Sequence, residues 1–284
     1  MKELKKELKS VGYHADRKTE LAVRALLTQP AGQGARALLI TGAPGTGKTA
    51  LAEAVARATG AAYFYSLLHP WSGDEDLFAG INVPAAVAGN AEAVHQPGIL
   101  AQVAEASHQN DLVVLCLDEI DKASESTEAL LLDWLQSGRV PVRPGQHLDT
   151  NLGRVLVFLT SNETRPHTDA LLRRCRRLRM NPLPDEMRAR LAQERSKAPS
   201  GVVKWTDRAC QILSEAEGND ALSLQEISHA CREVWEVAES ARDVAEILLS
   251  WAVRDSGNAQ DLAREARKLA ARIWGEVTQA RRGT

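Results

Sequence analysis

The chain has 284 residues, 44% of them apolar and 25% charged, with a formal net charge of −2. This balance belongs to a folded protein of one or two domains, and it excludes a disordered chain, a fibrous repeat and a uniformly basic nucleic-acid binder. Its apolar runs are all shorter than the roughly 20 residues of a membrane span, and Cys116, Cys175, Cys210 and Cys231 show neither a C-x-x-C pair nor zinc spacing.

The first residues, Met1 to Glu7, read as a charged helical stretch rather than a signal peptide, so a cytoplasmic location is expected. A helix is predicted over Asp16 to Thr28 and a strand over Arg36 to Thr41. Next comes Gly42-Ala43-Pro44-Gly45-Thr46-Gly47-Lys48-Thr49, which fits the pattern G-x-x-x-x-G-K-[ST], and then a helix over Lys48 to Thr59. A strand, this loop and a helix in that order make a phosphate cradle. Glycines reach backbone conformations closed to other residues, so successive N–H groups can curl round phosphate oxygens. The helix adds the positive end of its dipole. Lys48 is expected to neutralise β- and γ-phosphates, and Thr49 to offer its hydroxyl to Mg²⁺.

A second strand is predicted over Ala62 to Ser66. The stretch from Pro70 to Pro97, punctuated by Gly73, Gly80, Pro84 and Gly89, breaks the strand–helix alternation. A loop of that length is expected to hold a hairpin or short helix of its own. A helix over Gly98 to His108 precedes the apolar strand Leu112 to Leu117, which runs into Asp118-Glu119. Such a strand delivers Asp118 to the shell of a metal ion and sets Glu119 to polarise a water. The helix over Glu125 to Gln136 carries Leu131, Trp134 and Leu135 on one stripe, with Gly138 at the C-cap. A hairpin-like passage, Gly138 to Leu152, leads into a strand over Arg154 to Thr160, followed by Ser161-Asn162. A neutral amide at Asn162 suits holding the attacking water or the γ-phosphate without competing for Mg²⁺. A short helix over Thr168 to Arg173 and a strand over Arg176 to Met180 frame five arginines: Arg173, Arg174, Arg176, Arg177 and Arg179. Arg173 and Arg174, at the end of the helix, are candidates to stabilise charge on a transferring phosphoryl group. Arg176, Arg177 and Arg179 read as a solvated basic face or a partner contact.

After Asn181-Pro182-Leu183-Pro184 only helical patterns follow, so the chain is divided into an α/β domain over residues 1–182 and a helical domain over 183–284. His69, His95, His108, His147 and His167 are isolated and read as surface or loop residues. Trp205, Trp235, Trp251 and Trp274 sit on apolar stripes and read as packing residues. No N-K-x-D motif for guanine occurs.

Together, the Gly42–Thr49 loop, Asp118-Glu119, Asn162, the Arg173-Arg174 pair and the helical domain resemble the AAA+ ATPases, over roughly residues 20–254. Within that superfamily the MoxR group is the nearest likeness. It is carried by Asp76-Leu77-Phe78-Ala79-Gly80, Gln96-Pro97-Gly98-Ile99-Leu100, Leu117-Asp118-Glu119-Ile120-Asp121-Lys122, Leu135-Gln136-Ser137-Gly138-Arg139-Val140 and Asp169-Ala170-Leu171-Leu172-Arg173-Arg174-Cys175. The resemblance implies an αβα sandwich on a five-stranded parallel sheet with a small helical lid domain, and a helix-2 insertion within residues 70–97. It implies ATP and Mg²⁺ as cofactors, a homo-oligomeric ring of six subunits, and Arg174 acting in trans on a neighbour's ATP, with Arg173 second. It also implies a chaperone-like remodelling activity on a protein partner carrying a von Willebrand factor A domain. One position departs from the pattern: Gln225 stands where many AAA+ proteins place a sensor 2 arginine. Two other readings stay open, a nucleic-acid-associated ATPase supported by the arginine cluster alone, and a nucleotide-gated scaffold with little hydrolysis.

Overall fold

The computed structural model describes residues 4–30, 34–81, 87, 95–143, 145–219, 222–253 and 259–283. The chain divides into two compact units, Met1–Ala43 with Gly47–Asn181, and Pro182–Thr284 with Pro44–Thr46.

The first unit is built on five parallel strands, β1 (Arg36–Thr41), β2 (Ala62–Leu67), β5 (Val113–Asp118), β8 (Val155–Ser161) and β9 (Arg176–Arg179), in the spatial order β2-β5-β8-β1-β9. The sequence dictates why the middle three are central. β8, Val-Leu-Val-Phe-Leu-Thr-Ser, is buried along its whole length, and β1 and β5 are buried at all but their last residue. Strands covered on both faces are apolar at nearly consecutive positions rather than at every second one. β2 and β9 close the sheet at its edges and are less buried: β2 exposes Tyr65 and Leu67, and β9 buries Leu178 alone. Leu39, Leu115 and Val157 feed one face, packed with Leu100, Leu131 and Trp134. Leu38, Ile40, Val114 and Phe158 feed the other, packed with Leu51, Val55 and Leu26. Helices therefore cover both sides, and the architecture is the αβα sandwich of P-loop proteins.

On the Leu38 side lie α1 (Leu4–Ser10), α2 (Arg17–Thr28) and α3 (Lys48–Thr59). Asp16 caps α2 by accepting from the Thr19 N–H at 2.7 Å, and Gly60 ends α3 in the left-handed conformation. On the other side lie the four-residue α4 (Asp74–Leu77), α5 (Ile99–Gln109), α6 (Glu125–Ser137) and α7 (Asp169–Arg174). α6 is capped by Ser124 and stops at Gly138, φ 71°, where the predicted C-cap glycine stands. The buried Trp134 indole N–H donates to Thr150 Oγ1 at 3.0 Å, so the largest core side chain leaves no polar atom unpaired.

Two antiparallel pairs decorate the sheet: β3 (Ala79–Ile81) with β4 (His95–Pro97), and β6 (Arg139–Arg143) with β7 (Gln146–Asp149). The insertion expected within residues 70–97 thus includes α4, β3 and β4, and most of what joins β3 to β4 lies outside the described residues. Gly98, next after β4, donates its N–H to the Phe78 carbonyl at 2.7 Å. A Cβ there would fall 2.6 Å from both the Leu77 carbonyl carbon and the Phe78 nitrogen. Only glycine lets the two chain segments approach this closely.

The second unit is helical: α8 (Asp185–Ser196), α9 (Ser200–Glu217), α10 (Leu224–Glu236), α11 (Ala241–Ala252) and α12 (Ala259–Arg282). Val202, Leu213, Ile227, Val234, Leu248, Leu262 and Ile273 are among its buried side chains. Trp205, Trp235, Trp251 and Trp274 lie half-buried against this core, and Arg272 stacks its guanidinium 3.4 Å over the Trp205 ring. α10 starts with a reciprocal cap, Ser223 and Glu226 each accepting from the other's backbone N–H. Arg188 of α8 and Asp207 of α9 form a buried ion pair at 3.2 Å. No helix among the described residues is long and apolar enough to cross a membrane.

Candidate nucleotide site

The C-terminal ends of β1, β5 and β8 converge on one edge of the sheet, where parallel α/β folds collect ligands. β1 leads directly into Gly42–Thr49. Gly42, Gly45 and Gly47 have φ of 145°, 75° and 89°, values that other residues rarely adopt. Pro44, Gly45 and Thr46 form the tip of this loop, and Gly47 is the cap from which α3 departs. Lys48, 7% exposed, curls back so that Nζ donates to the carbonyls of Gly42 and Ala43 at 2.9 Å each. Burial holds its ammonium below the ordinary lysine value, and Asp118, Asp121, Glu119 and Glu163 offset part of that shift. A polyphosphate at the loop would add negative charge beside this buried cation and favour its charged form further.

Asp118 is the last residue of β5 and accepts from three hydroxyls. Thr49 Oγ1 lies 3.0 and 3.1 Å from its two oxygens, Tyr65 donates to Oδ2 at 3.1 Å, and Thr160 Oγ1 donates to Oδ1. Thr49 and Asp118 together offer hard oxygen ligands, the donor class that Mg²⁺ prefers. The site therefore fits a Mg²⁺–nucleotide: the loop and Lys48 would hold the phosphates, Thr49 and Asp118 the ion, whose chemistry there is neutralisation of developing phosphate charge.

Glu119 turns away from its neighbour. Its backbone is left-handed, φ 58° and ψ 48°, a conformation that costs a non-glycine residue about 1 kcal/mol or more. Two bonds hold it there: its N–H donates to Thr160 Oγ1 at 3.1 Å, and Asn162 Nδ2 donates to Glu119 Oε1 at 3.0 Å. The two adjacent carboxylates are thereby aimed at different partners, Asp118 at Thr49 and Glu119 at Asn162. One is suited to a metal shell and the other to a water.

Three contributors were not legible as such in the sequence. Asp121, 3% exposed, accepts from Asn162 N–H at 3.2 Å, Thr164 N–H at 3.0 Å and Thr164 Oγ1 at 2.6 Å. Burial raises its pKa, but these bonds outweigh it and hold the carboxyl below the usual range. Asp121 so fixes the segment that carries Asn162. Arg165 extends the brace, donating to the carbonyls of Asp121 and Ala123 and to Glu128 at 2.7 Å. Tyr65, on the edge strand β2, is the third; burial and then Asp118 push its hydroxyl up to about 12, so it stays a donor. A tyrosine within a strand pattern gives no local sign of such a role.

Arg174 is the last residue of α7, exposed, with Nη2 donating to Gln136 Oε1 at 2.8 Å. Arg173 beside it is exposed and has no polar partner among the described residues. Neither is joined to the Lys48–Asp118–Glu119–Asn162 group by a hydrogen bond. Gln225 is the second residue of α10.

A glycine-rich loop between a strand and a helix of an αβα sandwich, with a strand-end acid bonded to its threonine, defines a P-loop nucleotide-binding protein. The family model of the AAA domain, dynein-related subfamily, matches residues 37–178, half of the chain, and the chain belongs to that family. No curated protein matches it.

Proposed function

We propose that this chain is a cytoplasmic, Mg²⁺-dependent ATPase of the MoxR-like group that works as an oligomeric ring to remodel a protein partner. The observation that carries the hydrolytic part is the separation of the two acids, with Asp118 tied to Thr49 and Glu119 held by Asn162. In this reading Lys48 and the N–H groups of the Gly42–Thr49 loop hold the phosphates. Glu119 takes a proton from the water attacking the γ-phosphate, and Asn162 keeps the Glu119 carboxylate aimed at that water. Thr160, bonded to both Asp118 and the Glu119 N–H, keeps the acids in register.

Arg174 is proposed as the finger acting on a neighbouring subunit's ATP, with Arg173 as the alternative. Gln136 steadies its guanidinium at a helix end while leaving it exposed. The MoxR likeness supports a hexamer and a partner with a von Willebrand factor A domain. The decisive experiment is a pull-down with the Glu119→Gln variant and ATP, which should hold the partner in a stalled complex, combined with sizing with and without nucleotide. A monomer under every condition overturns the ring.

A second reading, a nucleotide-gated scaffold, is favoured by Gln225 standing at the sensor 2 position. Turnover of the purified protein that stays at background with saturating Mg²⁺ and ATP would select it.

A further inference from the structure

The arginine cluster is only partly used by the site above, and the unused part lines a cavity. An open cavity of about 650 Å³ is lined by residues that include Lys18, Pro166, Leu172, Arg177 and Arg179, over a floor of Leu39 and Thr41. Leu39 packs with the core on the sheet face opposite α3, so this is not the nucleotide cradle. Arg177 and Arg179 stand two residues apart on edge strand β9, in register with Leu39 and Thr41, and their side chains share that face.

The charge here is lopsided. Arg179 pairs with Glu163 at 3.3 Å, and Lys18 Nζ donates to the Arg179 carbonyl at 3.0 Å. Arg165 is matched by Glu128. Arg177 is exposed and has no polar partner among the described residues. Glu163 is the single carboxylate among the lining residues, against Lys18, Arg165, Arg177 and Arg179. Beside these cations, half-buried Leu172 and exposed Pro166 form an apolar wall. A bare phosphate can use the cations but not the wall.

We propose that this cavity along β9 docks an acidic segment of a partner protein, with carboxylates on Arg177 and Lys18 and an apolar side chain against Leu172. The walls connect it to the nucleotide site: Thr41 immediately precedes Gly42, and Glu163 immediately follows Asn162. Occupancy there bears on both strand ends that carry the phosphate loop and Asn162. The inference rests on the protein-partner part of the reading above. Its test measures binding without turnover, so the two fail separately.

The probe is a fluorescein-labelled peptide of alternating glutamate and leucine, titrated with the full chain and followed by anisotropy. Arg177→Glu breaks no contact and should weaken binding by about tenfold or more, as loss and reversal of a facing charge does. Arg176→Glu makes the same change in net charge from the other face of β9 and should leave binding within about twofold. A peptide with serine in place of leucine should bind more weakly than the original. Equal loss in Arg176→Glu and Arg177→Glu overturns the proposal, as does undiminished binding of the serine peptide or displacement by tripolyphosphate alone. A change in the sedimentation of the chain itself in Arg177→Glu, with peptide binding intact, assigns the face to a second copy and also overturns it. Thermal melting of each variant separates lost binding from lost folding.

Discussion

Asn162 donates its side-chain amide to Glu119 Oε1 at 3.0 Å, across 43 residues of sequence. The parallel register of β5 and β8 creates this relationship, pairing Leu117 with Leu159 and so bringing the residues that leave the two strands to the same edge. It turns two loose polar residues into one unit, an acid with a fixed direction.

Glu119→Gln is expected to keep ATP affinity within a few-fold while turnover falls by about 10²-fold or more, the loss typical of removing a general base. Nucleotide affinity by titration and phosphate release measure the two halves. Hydrolysis that survives the substitution would remove Glu119 as the base.

Asn162→Ala should separate orientation from presence. Glu119 remains but loses its side-chain partner, so kcat should drop about tenfold or more with nucleotide affinity nearly unchanged. An equal fall in affinity would instead place Asn162 on the nucleotide itself.

Tyr65→Phe removes one of the three hydroxyls on Asp118 and little else, because Tyr65 is 46% exposed. Loss of a hydrogen bond to a charged acceptor amounts to about 1.5–3 kcal/mol at most, less at an exposed site. A several-fold rise in the Mg²⁺ concentration for half-maximal nucleotide binding is the expected result, with metal-free nucleotide affinity unchanged. An unmoved Mg²⁺ requirement would make Tyr65 a bystander.

Asp121 makes the fold itself sensitive to acid. Its carboxyl in the folded chain titrates below the ordinary aspartate value, so its contribution is present above about pH 3.9 and is lost as pH falls through the lower folded value. Asp121→Asn should therefore flatten the pH dependence of stability below about pH 4. At neutral pH it should cost about 1–3 kcal/mol, because the donors on Thr164 and Asn162 lose a charged acceptor. Chemical denaturation at pH 7 and pH 3.5 tests both statements.

Gly98→Ala places a methyl 2.6 Å from backbone atoms of Leu77 and Phe78, which cannot turn aside as a side chain would. Destabilisation of about 1–3 kcal/mol is expected, read as a lower Tm. A Tm equal to the parent would mean the β3–β4 segment shifts freely.

The sequence by itself determined the phosphate loop and the central strands. Loop chemistry is contiguous: the glycines, Lys48 and Thr49 act within eight residues, and backbone freedom belongs to glycine wherever it stands. β1, β5 and β8 declared themselves because burial on two faces demands unbroken apolar runs. Boundaries moved by a residue: β5 includes Asp118 rather than ending at Leu117, because the acid's backbone still pairs with the end of β2. Tertiary structure alone decided which partners the acids take. Tyr65, Thr160 and Asn162 reach Asp118 and Glu119 through strand order and register, which depend on how separate segments pair and leave no mark in local sequence. The same holds for Asp121, a plain acid in the chain and a buried anchor in the fold, and for Gly98, whose missing side chain matters only because Leu77 and Phe78 arrive against it.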